Sequence, residues 1–181
     1  MTRSTSCRRC WPIAASLVLI TLLAGCAGYQ LGLDSLYRPD IKTVHVPVFD
    51  SDSYRRGLGE QLTEAVVKEI ESRTPYRVVS STAADSILRG RILTDRKHVL
   101  AENSFDEARD IETELLVEVS WLDRQGEYLL QRSVANSGKA SLEIGQAVNF
   151  VPEAGQSLAT AHQEAIQKLA RQIVGQMELR W

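Results

Sequence analysis

Three cysteines, three histidines, a few closely spaced carboxylates and two short basic stretches are the side chains here that could do chemistry. Cys7 and Cys10 have the C-x-x-C spacing of a redox or metal pair, but no other thiol or imidazole lies near them in the chain. His45, His98 and His162 stand apart, with no H-E-x-x-H run to hold zinc. There is no G-x-S-x-G elbow for a serine nucleophile. Gly57 and Gly59 precede a helical pattern but lack the remaining residues of a phosphate loop. Glu112 and Glu114 alternate onto one strand face, where solvated charge is the default. No catalytic residue, metal site or cofactor is expected. Arg89 and Arg91 also share a strand face, about 7 Å apart, and Arg96 and Lys97 follow. Cations at that spacing can straddle phosphate groups, and they equally suit an edge strand guarding itself against further pairing. Residues 171–180 and Trp181 fit an ordinary helix C-terminus, which favours cations.

Cys26 is the one side chain whose surroundings specify a reaction. Arg3, Arg8 and Arg9 form a basic start, residues 13–23 are apolar, and Leu23-Ala24-Gly25-Cys26 closes the segment with small residues. That is the layout of a signal peptide. The apolar run is roughly half of the about 20 residues needed to span a bilayer. A plain signal-peptidase site needs no Cys, whereas the bacterial lipobox, which these four residues resemble, alkylates the thiol with a diacylglycerol and is cut just before it. The expectation is therefore a signal peptide at 1–25, cleavage before Cys26, and a mature N-terminus carrying acyl chains. Two or more chains, at about 0.8 kcal/mol per buried methylene, give near-permanent membrane attachment. Cys7 and Cys10 leave with the signal, so the mature domain has no thiol for a disulfide.

The mature chain has 156 residues, 18 of them basic and 23 acidic, a formal charge of −5. A chain of this size buries about 68–70% of its unfolded surface and needs no staples. An overall basic footprint for nucleic acid is absent. Residues 26–40 have no periodicity and read as a lipidated tether, followed by a single domain at 41–181.

Within that domain, residues 41–49 alternate as a strand, and Pro47 places it at an edge or near its own end. Asp50-Ser51-Asp52-Ser53 offers N-cap side chains for a helix reaching about Ser72, with Leu58, Leu62, Ala65, Val66 and Ile70 on one stripe. Pro75 stops it. Strands follow at 76–80 and 85–100. The clearest is next: Ile111, Thr113, Leu115, Val117, Val119 and Trp121 alternate with Glu112, Glu114, Glu118 and Ser120, giving one dry and one wet face. A turn at 123–126 predicts a hairpin partner at 127–137. Residues 138–152 have no clear pattern. Pro152 suits a helix start, and a second amphipathic helix runs to about Arg180. Two single-striped helices and a one-sided sheet predict an α+β two-layer sandwich: both helices on one face of a mostly antiparallel, four- to five-stranded sheet.

Along almost the whole mature chain the sequence resembles the LptE family, outer-membrane lipoproteins that assemble lipopolysaccharide together with the LptD barrel. The matching pieces are Cys26-Ala27-Gly28-Tyr29-Gln30-Leu31, VPVFD at 46–50, LGEQLTEAVVKEI at 58–70, TPYRVV at 74–79 and ADSILRGRI at 84–92. The resemblance implies a non-enzymatic protein that plugs the barrel lumen, supports barrel folding and contacts lipopolysaccharide, held to the membrane by its acyl chains. Ala27, rather than Asp, after the lipidated Cys fits export to the outer membrane. Arg89, Arg91, Arg96 and Lys97 are candidate lipopolysaccharide contacts on phosphate chemistry alone. The long charged segment 95–110 departs from the family. The order VPVF, helix, strand is also similar to TolB-like and peptidoglycan-synthase-activating lipoproteins, whose partner would be a periplasmic enzyme or secretion ring. The C-terminal helix after a long hairpin, and ADSILRG, favour LptE.

Overall fold

The computed structural model describes residues 36–179 except Thr82, Asp106, 131–133 and 137–138, with the side chains of 131–140 left aside. Cys26, the expected signal peptide and most of the expected tether lie outside the described residues. The elements are β1 (Thr43–His45), β2 (Asp50–Ser51), α1 (Leu58–Arg73), β3 (Arg77–Val78), β4 (Ser86–Glu102), β5 (Ala108–Asp123), β6 (Val134–Asn136), β7 (Lys139–Phe150), a 3₁₀ turn (Pro152–Ala154) and α2 (Leu158–Gly175).

β5 organises the sheet. Its six predicted inward residues, Ile111, Thr113, Leu115, Val117, Val119 and Trp121, are all buried. The strand order is β3-β1-β4-β5-β7-β6, with β2 beside β4. β1 runs parallel to β3 and β4, β2 parallel to β4, and the remaining pairs are antiparallel. Both helices cover the same face. α1 contributes Leu58, Leu62, Val66 and Ile70, and α2 contributes Ala165, Ile166, Leu169 and Ile173. Burial of each large aliphatic side chain is worth about 1.5–3 kcal/mol. The class is the expected α+β sandwich, with seven strands among the described residues rather than four to five.

Three local expectations are corrected, and one pair of alternatives is decided. Pro47 follows the end of its strand, the second of its two readings, and β1 is interior, flanked by β3 and β4. Helix α1 starts at Leu58 behind Gly57 (φ 82°) without a side-chain cap. The expected caps are engaged by β4 instead. Asp50 and Ser51 pair with Arg91 and Ile92, Asp52 binds Arg91, and Ser53 binds Asp95. The partner of β5 is β7, from Ile111 opposite Phe150 to Val119 opposite Leu142. Residues 127–130 make only a bridge between Leu122 and Tyr128 beside it. The pattern of β7 was hidden because inward Gln146 is polar while outward Gly145 and Ala147 are not. Helix α2 begins at Leu158, where Ser157 and Thr160 form a reciprocal capping box. Pro152 opens only the 3₁₀ turn, which ends at Gly155 (φ 77°).

Residues 36–40, read from the sequence as the last part of the tether, are docked in the fold. Leu36 accepts a hydrogen bond from the Leu179 N–H (2.7 Å). Tyr37 is buried and meets Tyr76 edge-on at 5.6 Å. Tyr76 in turn lies 6.0 Å from Trp121, whose indole N–H donates to Ser86 Oγ at 3.0 Å. Burial pushes the Tyr76 phenol up to about 12.

Candidate functional site

The candidate cations all lie on β4, and an irregularity in that strand decides which face each occupies. Ile92 pairs with Val117, but Thr94 pairs with Leu116, so Leu93 is a β-bulge. Before it, Arg89 stands opposite Ser120 and Arg91 opposite Glu118. After it, Arg96 stands opposite Glu114 and His98 opposite Glu112. These are residues of the open face, away from the helices. Lys97 is opposite buried Thr113 and belongs to the helix-bearing face. The structure thus brings Arg89, Arg91 and Arg96 together and separates Lys97 from them.

The three arginines differ in freedom. Arg91 is tied to Asp52, with 2.8 Å between Nη2 and Oδ1, and that bond raises the guanidinium above its ordinary value. Arg96 faces a glutamate across the strands. Opposite charges so placed are worth about 0.2–1 kcal/mol. Arg89 has only a serine opposite. Among the described residues no ion pair engages Arg89, Arg96 or Lys97. From Thr94 outward β4 has no strand on its other side among the described residues, so Arg96, Lys97 and His98 also guard an edge.

The bulge has a second consequence. It turns Asp95 toward the helices, where Oδ1 lies 3.0 Å from His162 Nε2. The same nitrogen is 3.1 Å from Thr113 Oγ1, and Oδ2 takes Ser53 Oγ (3.3 Å) and Arg55 Nε (3.4 Å). His162 is 3% exposed. The residue types suggest a hydrolase triad, but the geometry is not one. In a relay, the hydroxyl and the acid must engage different ring nitrogens; here both meet Nε2. The cluster ties helix α2 to β4, β5 and the 52–57 loop. Nothing local in the sequence marks it, since Asp95 and His162 are 67 residues apart and strict alternation would have turned Asp95 outward.

A second polar cluster closes the opposite end of β4. Asp85 accepts from the Thr43 hydroxyl (2.9 Å), the Lys42 N–H (3.1 Å) and the Thr43 N–H (3.0 Å), and pairs with Arg124 (2.7 Å). These contacts, the Thr43 hydroxyl foremost, hold its carboxyl below the usual range. A groove of about 720 Å³ between the helices has a floor of Ala65, Ile166 and Ala170 and a charged rim of Glu64, Lys68 and Arg171. Among the described residues no three metal-ligating side chains converge.

The family model for lipopolysaccharide assembly, LptE, matches residues 41–180, every strand and both helices of the sandwich. The chain belongs to the LptE family. Its work is therefore lipopolysaccharide assembly in the bacterial envelope, in a family without enzymatic activity. Four of the five segments that carried the resemblance in the sequence, 46–50, 58–70, 74–79 and 84–92, lie within the matched residues.

Two solved structures share the fold at low identity, and a third is reported beside them. A Xanthomonas campestris protein is 12% identical, with a TM-score of 0.55 over 78% of this chain and 85% of its own. A hypothetical protein of Chlamydia trachomatis is 9% identical, with a TM-score of 0.50 over 76% and 98%. Lipoprotein B of Nitrosomonas europaea is 17% identical, with a TM-score of 0.47 over 81% and 90%. No curated protein matches the sequence.

Proposed function

We propose that this LptE-family protein is an outer-membrane lipoprotein, anchored through acyl chains on Cys26, that plugs and helps fold an LptD-like β-barrel during lipopolysaccharide assembly. The observation that carries this reading is the family match across the entire sandwich. It supports this reading over a TolB-like or synthase-activating module, which rested on the VPVF strand, the helix and the strand that follows.

Lipopolysaccharide contact is proposed for the open face of β4. Arg89 is the leading residue because only a serine opposes it, and Arg96 is next. Arg91 contributes less, being already bound by Asp52, and Lys97 lies on the other face. Arg89→Ala combined with Arg96→Ala is expected to weaken binding of purified lipopolysaccharide by about 1–3 kcal/mol; unchanged binding removes these residues from the site. For the whole proposal, affinity purification of the tagged protein from detergent-solubilised envelopes should recover a large barrel protein. Recovery of only a peptidoglycan synthase or a secretion ring refutes it.

A further inference from the structure

Sheet edges are blunted against further pairing by charge, by bulges or by shortness, and two edges of this sheet follow that rule. β4 beyond Thr94 carries Arg96, Lys97 and His98, and its register shifts at Leu93 and again at Leu100. β3 is two residues long. β7 has neither protection. Its pairing with β5 runs without a shift from Ile111 opposite Phe150 to Val119 opposite Leu142. No charged residue occurs from Ile144 to Pro152. β6 covers its outer side only at Lys139 to Ser141, and from Gly145 to Phe150 no strand lies there among the described residues. A flat, uncharged edge is the kind that takes up another strand.

The backbone groups on offer follow from the pairing. The Trp121 carbonyl accepts from the Leu129 N–H, and this bond lies on the β7 side of β5, because β4 occupies the other side there. Odd-numbered residues of β5 therefore turn their N–H and C=O toward β7, where the even-numbered residues stand opposite them. Gly145, Ala147 and Asn149 turn theirs outward. Two groups on that side are met from within the chain. The Ala147 carbonyl accepts from the Gln146 amide (2.8 Å), and the Val151 N–H donates to Gln156 Oε1 (2.7 Å). The N–H groups of Gly145, Ala147 and Asn149 have no partner among the described residues.

The edge matches its own sequence. In an antiparallel two-fold pairing centred on Ala147, that residue faces the partner's Ala147 and Gly145 faces the partner's Asn149, so outward groups meet outward groups. All of these side chains are small and neutral. Glu143, the nearest charge on the strand, falls opposite the partner's Val151. It is then about 27 Å from the partner's Glu143, at about 3.4 Å per residue, well beyond the ~10 Å screening length of about 0.1 M salt. On α2 beside the edge, Gln172 is held by Gln146 (3.1 Å) and Lys168 is paired with Glu164 (2.7 Å). Nothing along this edge selects a charged partner, and a second copy meets it in register without opposing like charges. We infer that β7 is a self-association edge, joining two copies of this chain into one continuous sheet about a two-fold axis at Ala147.

The test uses the full-length protein, expressed with its N-terminal segment and Cys26, first in membranes and then in mild detergent. Cα atoms of a hydrogen-bonded antiparallel pair lie about 5.5 Å apart, inside the roughly 4.4–6.8 Å span of a disulfide. Ala147→Cys should therefore give an oxidant-dependent covalent dimer in membranes. Asn149→Cys, about 14 Å from its own copy, should give no more than wild type, whose background also reports any link through Cys26. In detergent, sedimentation should show a concentration-dependent dimer that Ala147→Lys weakens roughly tenfold or more. Thermal melting of that variant should match the wild-type monomer, because Ala147 is exposed. Ala147→Pro removes an N–H that β5 does not use and should weaken the dimer similarly. A wild type that stays monomeric overturns the inference. So does a dimer that Ala147→Lys leaves unchanged, an Asn149→Cys link as strong as that of Ala147→Cys, or an adduct at 147 formed only with another protein. None of these outcomes bears on the function proposed above, which does not depend on the β7 edge.

Discussion

Asp95→Ala is expected to destabilise the sandwich by about 2–3 kcal/mol, a figure built from three bonds of unequal worth. The Arg55 contact is 3.4 Å long and its side chain is 46% exposed, so it contributes less than about 1 kcal/mol. The Ser53 hydroxyl at 3.3 Å adds about 0.5 kcal/mol. The bond to His162 dominates, because a charged acceptor meets a buried donor, worth about 1.5–3 kcal/mol. Thr113 Oγ1, 3.1 Å away, still accepts from Nε2 in the variant and holds the total toward the lower end. For a domain of about 140 residues this corresponds to a fall in Tm of about 6–10 °C.

The assay is thermal unfolding followed by circular dichroism on wild type, Asp95→Ala, His162→Ala and the double variant. Residues in direct contact should couple, here by about 1–2 kcal/mol, so the double variant loses less than the sum of the singles. Asp95→Asn, which keeps an acceptor oxygen, should recover about half of the loss. Additivity within about 0.5 kcal/mol refutes the reasoning, since the two side chains would then stabilise the fold independently and the bulge at Leu93 would have no role in joining them.

Other sites give further expectations. Gly90→Ala places a methyl against the Phe49 ring, and overpacking there should cost about 1–3 kcal/mol. Phe49→Ala in the same chain should make the loss markedly less than additive in denaturant titrations. Ser86→Ala leaves the buried Trp121 indole N–H without its acceptor, for about 1–3 kcal/mol, with a shift in tryptophan fluorescence near Trp121. Asp85 has a depressed carboxyl, so its contribution is present above the ordinary carboxylate pKa and lost as pH falls through its lower folded value. The Tm difference between wild type and Asp85→Asn should be present at pH 7 and shrink below about pH 4; a gap that widens on acidification contradicts the assignment.

The sequence was most legible where an element meets two different media. β5 lies between the helices and the open face, so each inward residue is buried and each outward one is Glu, Ser or Leu, and the period of two survives. The helical stripes survive for the same reason. Legibility failed where a side chain served a partner distant in sequence. Asp52 and Ser53 have the chemistry of helix caps, and only the fold shows that β4 engages them. Gly57 then begins the helix without a side chain, and the close approach of Gly59 to the Phe49 carbonyl leaves room for nothing larger. In β7, Gln146 points inward because Gln172 of α2 donates to it at 3.1 Å, which breaks an otherwise apolar row. The candidate cations could be placed on a strand from sequence, but their faces could not, because no local residue pattern announces the bulge.

That bulge links the fold to the proposed site. In a regular strand Arg91 and Arg96, an odd number of positions apart, would point to opposite faces, and Asp95 would stand on the open face between Arg91 and Lys97. The extra residue at Leu93 reverses both outcomes. Arg96 joins Arg89 and Arg91 outside, while Asp95, the carboxylate that would have neutralised them, goes inside to His162. The open face is thereby left richer in cations on β4, and the carboxylate removed from it fastens α2 to the sheet. The bond that stabilises the core and the charge pattern proposed to meet phosphate share one cause. A change that regularised β4 would disturb both at once, whereas Asp95→Ala disturbs only the core, so stability and lipopolysaccharide binding are separable by experiment.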